Sequence, residues 1–255
     1  MRRYWITAQT WQNDSLEISG DEHHHIFKVC RTTAGERFEI LGDGSQIHMV
    51  EVLEINKKTA SVKRLSSRLL PNLKEPHLHL CLSVPRPQIL PLILEKSVEL
   101  GVHSVHLFYS DHSYFRAKDG NKLNWAKFDK VINQALQQSS RGHKMPLHEP
   151  IALKDLLKSV NRQPMVQCLF PCEPASVEGE AGDIKAELKR IKAVTPKEIY
   201  FFIGSEGGFS KEECVLMQEA DIKPVTLGAQ VLRVETACVA VASILKYEFE
   251  LLKEG

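Results

Sequence analysis

The sequence has no long apolar run, no secretion signal and no clear excess of either charge. Its longest apolar stretches, such as residues 89–94 and 237–242, are far shorter than the roughly 18 residues of a membrane-spanning helix. The basic N-terminus, Met-Arg-Arg-Tyr-Trp, is followed by neither an apolar segment nor a cleavage site of small residues. We therefore expect a cytoplasmic protein that has no membrane partner.

The chain also lacks any Cys-x-x-Cys pair. Its 6 cysteines are scattered, mostly in apolar segments, as expected of buried thiols in a reducing compartment. Cys168 and Cys172 are close in sequence, but a zinc site needs two further ligands, and none stands at a suitable spacing. The adjacent His23, His24 and His25 cannot all face one ion. We expect no bound metal.

Charge is balanced overall but clustered locally. A formal net charge of +1 is not the basic excess that is typical of nucleic-acid binding. Residues 57–68 nevertheless hold five basic residues and no acid, and residues 116–144 hold seven basic residues against two acids. Each stretch could be solvated surface, or the two could form a divided phosphate-binding surface.

The periodicity of the chain predicts two domains. Period-two alternation at 36–41, 46–55 and 59–65 predicts short antiparallel strands and a small barrel, with a helical turn over 23–30. Residues 70–76 contain two prolines and no periodicity, which is typical of a linker. We place the domain boundary there, which gives domains of 1–72 and 73–255.

The second domain alternates strands and helices, which predicts an α/β fold with a mostly parallel sheet. Such sheets bind ligands beyond the carboxyl ends of their strands, so the loops near residues 170, 204 and 228 are the candidate site. The predicted strands are 78–84, 102–109, 165–170, 198–203 and 224–227, and the predicted helices are 88–100, 125–139, 184–193, 211–220 and 237–252.

A glycine-rich turn, Gly204-Ser-Glu-Gly-Gly208, follows the strand at 198–203 and lets a ligand approach the backbone closely. Ser210 and Glu213 form a capping box, which predicts that a helix begins at Lys211. The turn is not a P-loop, because Phe209 stands where the lysine would be. Glu206 would also repel an anion, so a neutral or cationic ligand is favoured.

A second stretch, Leu227-Gly-Ala-Gln-Val-Leu-Arg-Val-Glu-Thr-Ala237, enters a helix of small apolar residues. Taken alone, Glu235 or Thr236 could be the N-cap of that helix and Arg233 a surface charge.

Together, Ile203-Gly-Ser-Glu-Gly-Gly-Phe-Ser210 and the stretch 227–237 resemble the paired signature of the RsmE family. These are bacterial ribosomal small-subunit RNA methyltransferases of the SPOUT superfamily. Residues 24–31, 95–101 and 134–141 with Pro146 resemble further family motifs. The chain departs from the usual pattern at Ser205, where the family commonly has proline, at Ala229-Gln230 and at Arg86.

The resemblance implies a PUA-like β-barrel domain followed by a SPOUT trefoil-knotted α/β methyltransferase domain. It also implies that backbone groups of three loops hold S-adenosyl-L-methionine, whose positive sulfonium tolerates a nearby carboxylate. The residues that match the cofactor loops are Leu169, Phe170, Ile203, Gly204, Ser205, Glu206, Gly207, Gly208, Leu227, Gly228, Val231, Leu232 and Thr236.

The family's reaction methylates N3 of a uridine in the decoding region of 16S rRNA, in the small ribosomal subunit, and such proteins are usually homodimers. We assign Arg233 to stabilise charge that develops on the uracil oxygens, and Glu206 to act as a base or to orient the cofactor. Phosphate contacts are expected from Arg2, Arg3, Lys28, Arg31, Lys63, Arg64, Arg86 and Arg141.

Two other functions stay open. One is an RNA-binding ribosome-assembly factor that has lost transfer activity, and the other is a SPOUT methyltransferase that acts on another RNA or on a ribose oxygen. The glycines argue against the first, since an abandoned cofactor site need not keep Gly204, Gly207, Gly208 and Gly228.

Overall fold

The computed structural model describes residues 2–6, 10–42, 46–70, 73–119, 122–139, 141–160, 165–173 and 181–252. They form two compact units, Met1–Asn72 with Asn133–Lys144 and Leu73–Ile132 with Met145–Gly255. The boundary drawn from the sequence leaves residues 133–144 in the second domain. They group with the first unit because Gly142 lies directly against the side chain of Leu70. Pro71 and Asn72 of the predicted linker lie outside the described residues.

The first unit is built on a five-stranded sheet with the order β1-β3-β4-β5-β2, in which β1 runs parallel to β3 and the other pairs are antiparallel. A short helix α1 (Gly20–His23) and a π-helical segment (His24–Val29) follow β2, as the predicted helical turn required. The strands are β1 (Arg3–Trp5), β2 (Ser15–Ser19), β3 (Arg37–Leu41), β4 (Gln46–Ile55) and β5 (Thr59–Leu69).

Alternation along these strands buries one face. Phe38, Ile40, Val50 and Val62 are at most 1% exposed and form the core of the unit, with polar residues between them. Strands β1 and β2 were not predicted, because three and five residues are too few to show a clear period.

The second unit holds a seven-stranded sheet with the order β10-β12-β9-β11-β6-β7-β8, in which every pair is parallel. Parallel strands buried on both faces are continuously apolar, as in the Ile-Tyr-Phe-Phe-Ile run of β11. The strands are β6 (His77–Ser83), β7 (Ser104–Tyr109), β8 (Leu147–Ala152), β9 (Val166–Pro171), β10 (Gly182–Asp183), β11 (Glu198–Ile203) and β12 (Lys223–Thr226).

Helices connect these strands. All five helices predicted for this part of the chain are present, but the last spans Val234–Glu248 rather than residues 237–252. Gly101, with φ of +69°, follows the end of α2. Strand β8 was not predicted, because it is a largely exposed edge strand that contains Pro150. Helix α4 was not predicted either. The helices are α2 (Leu90–Glu99), α3 (Trp125–Ser139), α4 (Leu153–Val160), α5 (Ile184–Ala193), α6 (Lys211–Glu219) and α7 (Val234–Glu248).

No helix within the described ranges combines the length and the apolar character that crossing a membrane requires.

A histidine cluster lies on β6, β7 and β8 of the second unit and includes His103, which directly precedes β7. The ring centroids of His77 and His103 are 4.5 Å apart, and those of His106 and His148 are 4.2 Å apart. The hydroxyl of Ser104 is 2.7 Å from a ring nitrogen of His79 and 2.7 Å from one of His106. The histidines of the cluster are His77, His79, His103, His106 and His148.

The surroundings of this cluster disfavour the protonated rings. Burial, followed by the neighbouring imidazoles, lowers the pKa of His79 to about 4 and that of His106 to about 3. The carboxylate of Glu198, 2.5 Å from Nε2 of His79, favours the charged ring. Glu198 is partly exposed and also contacts His77. Its effect on the pKa of His79 is therefore smaller than the effect of burial and of the adjacent imidazoles.

We expect the free energy of unfolding to fall as the pH drops from 7 to 4. The unfolded chain takes up these protons near pH 6.5 and the native protein only near pH 4 and below, so the unfolded state binds more protons across this window. At about 1.4 kcal/mol per pKa unit, His79 alone contributes about 3 kcal/mol. Urea unfolding at several pH values measures this loss.

The variant His79→Gln/His106→Gln should lose much less stability over the same pH range, and His24→Gln, at an exposed position of the first unit, should behave as wild type. A pH dependence that is unchanged in the double variant would contradict the assignment.

Candidate functional site

Three loops leave one edge of the sheet in the second unit. Strands β12, β9 and β11 are neighbours and run parallel, with Leu169 of β9 paired to Lys223 on one side and Phe201 on the other. Their carboxyl ends therefore lie side by side, and the loops after Pro171, Ile203 and Thr226 begin close together. These are the loops that the sequence assigned to a ligand.

The candidate residues at the ends of the strands are part of the core. Leu169 and Phe170 are 0% exposed and Ile203 is 4% exposed. The ring of Phe170 packs edge-on against Phe209, with 5.8 Å between centroids. Because these side chains are buried in the core, we expect the backbone of the three residues to contact a ligand at this edge.

The glycine turn is closely folded. The N–H of Gly208 donates to the carbonyl of Ser205 at 2.9 Å, and the φ of Gly208 is +68°. A Cβ on Gly204 would lie 2.9 Å from the carbonyl carbon of Gly208, and one on Gly207 would lie 2.8 Å from Cβ of His112. Glycine is therefore needed for space at two positions and for conformation at the third.

One side of the turn is fixed to the loop after β7. The hydroxyl of Ser205 donates to the carbonyl of His112 at 2.6 Å, and that of Ser210 donates to Asp111 at 2.6 Å. The predicted capping box is confirmed, with α6 starting at Lys211 and the Glu213 carboxylate accepting from the N–H of Ser210. Ser205 is thus a hydrogen-bonding anchor of the turn.

The other side of the turn is fixed by Arg86. Its Nε donates to Oε1 of Glu206 at 2.8 Å, and its backbone N–H donates to the same atom at 3.2 Å. Burial acts to raise the pKa of Glu206, but the hydrogen bonds and charge of Arg86 outweigh it, so the pKa lies below its ordinary 4.5. Glu206 is therefore an ionised partner of Arg86, which suits an orienting residue better than a base.

A buried hydroxyl network lies behind these anchors. The Oγ atoms of Ser83 and Ser110 are 2.5 Å apart, and those of Ser83 and Ser113 are 3.0 Å apart. The network joins the end of β6 to the loop after β7, which accepts the hydrogen bonds from Ser205 and Ser210. Sequence analysis missed these serines, although Ser110-Asp-His-Ser113 also follows the carboxyl end of a parallel strand, which was the available signal.

The third loop leads to the start of α7. Gly228 has a φ of +114°, and its N–H donates to the hydroxyl of Thr226 at 3.2 Å. Arg233 is the N-cap of α7, so Glu235 and Thr236 lie in its first turn and the N-cap alternative for them is wrong. The guanidinium of Arg233 is exposed, and no residue in the described ranges accepts a hydrogen bond from it.

Val231 and Leu232 of the same loop differ in exposure. Val231 is 76% exposed, whereas Leu232 and Leu227 are half-buried. Leu227 and Leu232 can therefore line a ligand site at the strand edge more readily than Val231 in this conformation.

The candidate phosphate contacts in the first unit fall into two groups. Lys28, Arg31 and Lys63 are exposed. The others are engaged within the protein: Arg2 donates to the carbonyl of Cys30 at 2.8 Å, Arg3 pairs with Glu39 at 2.5 Å, and Arg64 pairs with Asp14 and lies 4.7 Å from the centroid of the Trp11 ring.

Arg141 is not available for a phosphate. It is 7% exposed, its Nε donates to the carbonyl of His143 at 2.9 Å, and burial lowers its pKa to about 10. The sequence suggested a surface contact because arginine is usually exposed. Arg86 likewise binds Glu206 rather than presenting a free charge.

Within the described ranges, no three side chains of His, Cys, Asp or Glu are placed so that they could hold a metal ion, the histidine cluster included.

Two family models match the chain: an RNA methyltransferase domain over residues 73–246 and an RNA methyltransferase PUA domain over residues 18–63. The chain is 32% identical over 232 residues to the Ribosomal RNA small subunit methyltransferase E of Helicobacter pylori (strain ATCC 700392 / 26695). The matched residues cover 90% of this chain and 93% of that protein. It is 26% identical over 261 residues to the Bacillus subtilis protein of the same name, covering 99% of each.

A solved structure of similar fold is the Ribosomal RNA small subunit methyltransferase E of Neisseria gonorrhoeae bound to S-adenosyl methionine. It has a TM-score of 0.82 and 21% identity, and covers 97% of each chain. This likeness concerns the fold alone. Together with the two family matches, it confirms the predicted order of domains, an α/β RNA methyltransferase domain that follows a PUA-like domain.

Proposed function

The chain belongs to the RsmE family of RNA methyltransferases, and from this membership we propose that it transfers a methyl group from S-adenosylmethionine to small-subunit ribosomal RNA. The observation that carries the proposal is the edge where β9, β11 and β12 end together, beside a turn in which glycine is required for both space and conformation. A closely folded backbone of this kind suits an adenosine-bearing ligand held by amides and carbonyls.

The residues present fit that cofactor. The backbone of Ile203, Gly204 and Gly208, with the loop from Leu227 to Leu232, would hold it, and Thr236 lies in the first turn of α7 beside this loop. When bound, S-adenosylmethionine supplies an activated methyl group, so the protein's task is positioning and removal of a proton. Glu206 is held by its ion pair with Arg86, which compensates its charge, so the carboxylate would fix the shape of the turn around the cofactor rather than attract the sulfonium.

The proposed acceptor is N3 of a uridine in the decoding region of 16S rRNA. N3 lies on the Watson–Crick edge, so the base must be unpaired or extruded before N3 can react. N3 would lose its proton to solvent and gain the methyl group, whose bond to sulfur would break to leave S-adenosylhomocysteine. We assign Arg233 to the uracil oxygens, on which negative charge develops when that proton is lost. An exposed guanidinium at the N-terminus of α7 is suited to this role, since both the side chain and the helix end favour negative charge.

The experiment that tests this function is incubation of the protein with labelled S-adenosylmethionine and small-subunit rRNA, either free or assembled in the subunit. Mass spectrometry of the digested RNA then locates the methyl group. Methylation at a uridine N3 supports the proposal, and methylation of another base or of a ribose oxygen overturns the assigned acceptor. Binding of RNA with neither methylation nor calorimetric binding of S-adenosylhomocysteine would indicate an assembly factor instead.

We predict that Glu206→Gln lowers kcat by less than about tenfold, because the structure uses this carboxylate to orient the turn. Removal of a general base would cost about 10²- to 10⁴-fold. The KM for the cofactor should rise, since the ion pair with Arg86 is lost. Steady-state kinetics from pH 6 to 9 measures both values, with Glu212→Gln, an exposed residue of α6, as the control.

The effects of Glu206→Gln and Arg86→Gln should also be strongly non-additive, because the two residues act as one pair. A loss of kcat beyond 100-fold in Glu206→Gln alone would restore the base assignment.

A homodimer remains part of this proposal. Val239 and Tyr247 of α7 are exposed, by 37% and 76%, and apolar surface on a helix is suited to a second copy. Light scattering of the purified protein measures its molar mass, and a mass of twice that of the chain would support the homodimer.

A further inference from the structure

A cleft of about 650 Å³ opens in the first unit, and the proposed function does not use it. It lies between the N-terminal strand and the part of α3 that belongs to the same unit. The side chains that define its two walls are Arg2, Arg3 and Tyr4 on one side and Gln134, Gln137 and Gln138 on the other. The glutamines stand at i, i+3 and i+4, so they share one face of the helix.

Two buried donors in the wall of the cleft are unused. Tyr4 is 5% exposed, and its hydroxyl has no partner at hydrogen-bond distance and angle among the described residues, although Thr32 and Cys30 lie near enough to act on its pKa, Thr32 lowering it and Cys30 raising it. Arg3 directs Nε and Nη2 to Glu39, while its buried Nη1 likewise lacks a partner among the described residues. Unpaired buried donors are costly, and burial raises the pKa of the Tyr4 phenol, so the hydroxyl remains a donor.

The charge of the cleft favours an acceptor-rich ligand. Glu39 is the one carboxylate among its lining residues in the described part of the chain. That carboxylate accepts from Arg3 at 2.8 Å and from Arg68 at 2.9 Å. Its charge is therefore compensated, and Arg2 adds a positive charge at the rim. The glutamine amides can both donate and accept, which is the capacity needed to read the edge of a base.

We propose that this cleft binds one unpaired nucleotide of the substrate RNA. The inference rests on the proposed function for the identity of the RNA. The volume of the cleft lies in the range of about 300–1,000 Å³ that is usual for small-ligand sites. Single-stranded bases in RNA are recognised through hydrogen bonds to their edges. Tyr4 and the glutamines contact the base edge, and Arg2, whose Nη1 donates to the carbonyl of Cys30, supplies positive charge next to the phosphate.

Tyr4→Phe is the sharpest test, because it removes only the hydroxyl. If that group served folding alone, its removal would leave RNA affinity unchanged. We expect the variant to be at least as stable as wild type, since an unpaired buried donor is lost, and to bind a fluorescent fragment of small-subunit rRNA about fivefold more weakly. Fluorescence anisotropy gives the Kd, and thermal unfolding gives the stability.

Gln134→Ala/Gln138→Ala is the second variant, with an expected weakening of about tenfold, and Gln46→Ala, an exposed glutamine of the same unit outside the cleft, is the control. Crosslinking with 4-thiouridine-substituted RNA should label the peptide that contains Tyr4 or the one that contains Gln137. Wild-type RNA affinity in both cleft variants overturns the proposal, as does failure of the wild type to bind RNA.

The remaining outcomes separate the cleft from the proposed function. If the wild type is active and the variants methylate and bind RNA as it does, the cleft proposal is wrong and the proposed function is unaffected. If the variants bind RNA more weakly and the wild type does not methylate it, the cleft proposal is supported and the proposed function is wrong. Uridine monophosphate that competes at the same concentration as RNA would show a free nucleotide as the ligand and overturn the RNA assignment.

Discussion

Replacing Arg233 by alanine is expected to lower the rate of methyl transfer by about 10²- to 10³-fold, the range found when one preorganised donor to a developing negative charge is removed. The affinity for S-adenosylhomocysteine should change by less than about threefold. The reason is the position of Arg233, which caps α7 through its backbone while its guanidinium is exposed and bonds to no described residue. Removing the side chain should therefore leave the fold unchanged.

Single-turnover transfer with excess protein measures the chemical step, and titration calorimetry measures cofactor binding. Lys211→Ala is the matched control, because Lys211 is also an exposed basic residue at the start of a helix after one of the three loops. Arg233→Lys keeps the charge but not the planar fork, so its rate should be intermediate. Equal rates for Arg233→Ala and wild type would remove this residue from the reaction, and a parallel loss of cofactor affinity would make it a binding residue.

Much of the fold was accessible from the sequence where a local pattern was strong. Strands β4 and β11 and helices α3 and α5 have the predicted bounds, because long alternating or apolar runs and clear helical spacing leave little choice of structure. The elements that were missed are short or lie at an edge of a sheet. β10 has two residues and β8 is mostly exposed, so neither carries the burial pattern on which such predictions depend.

The loops of the site could be located but their contacts could not. Parallel strands bring their carboxyl ends to one edge, so the loops after β9, β11 and β12 could be proposed together. The pairing of Arg86 with Glu206 joins residues 120 positions apart, and no local pattern reports it. The burial of Arg141 likewise depends on its packing in the first unit, so the sequence misassigned it to the surface.

Gly204→Ala is expected to weaken binding of S-adenosylhomocysteine by about 10- to 100-fold. The added Cβ would lie 2.9 Å from the carbonyl carbon of Gly208 and 3.1 Å from its Cα and O. These are backbone atoms, and the hydrogen bond from Gly208 to Ser205 holds them in place, so relief requires the turn to open. Forcing one extra carbon into a packed site costs about 1–3 kcal/mol, and cofactor binding would have to restore the closed turn against that strain.

Gly182→Ala separates this effect from a general intolerance of alanine in the sheet. Gly182 lies in β10 of the same unit, its φ is not positive, and an added Cβ would make only an ordinary contact, 3.5 Å from the carbonyl oxygen of Pro224. It should bind with wild-type affinity. Gly208→Ala has open space but a φ of +68°, so conformational strain of roughly 1 kcal/mol should place its affinity between the two. Wild-type affinity in Gly204→Ala would mean that the cofactor does not require the closed turn, and the assignment of the glycine loop would fail while the fold remained intact.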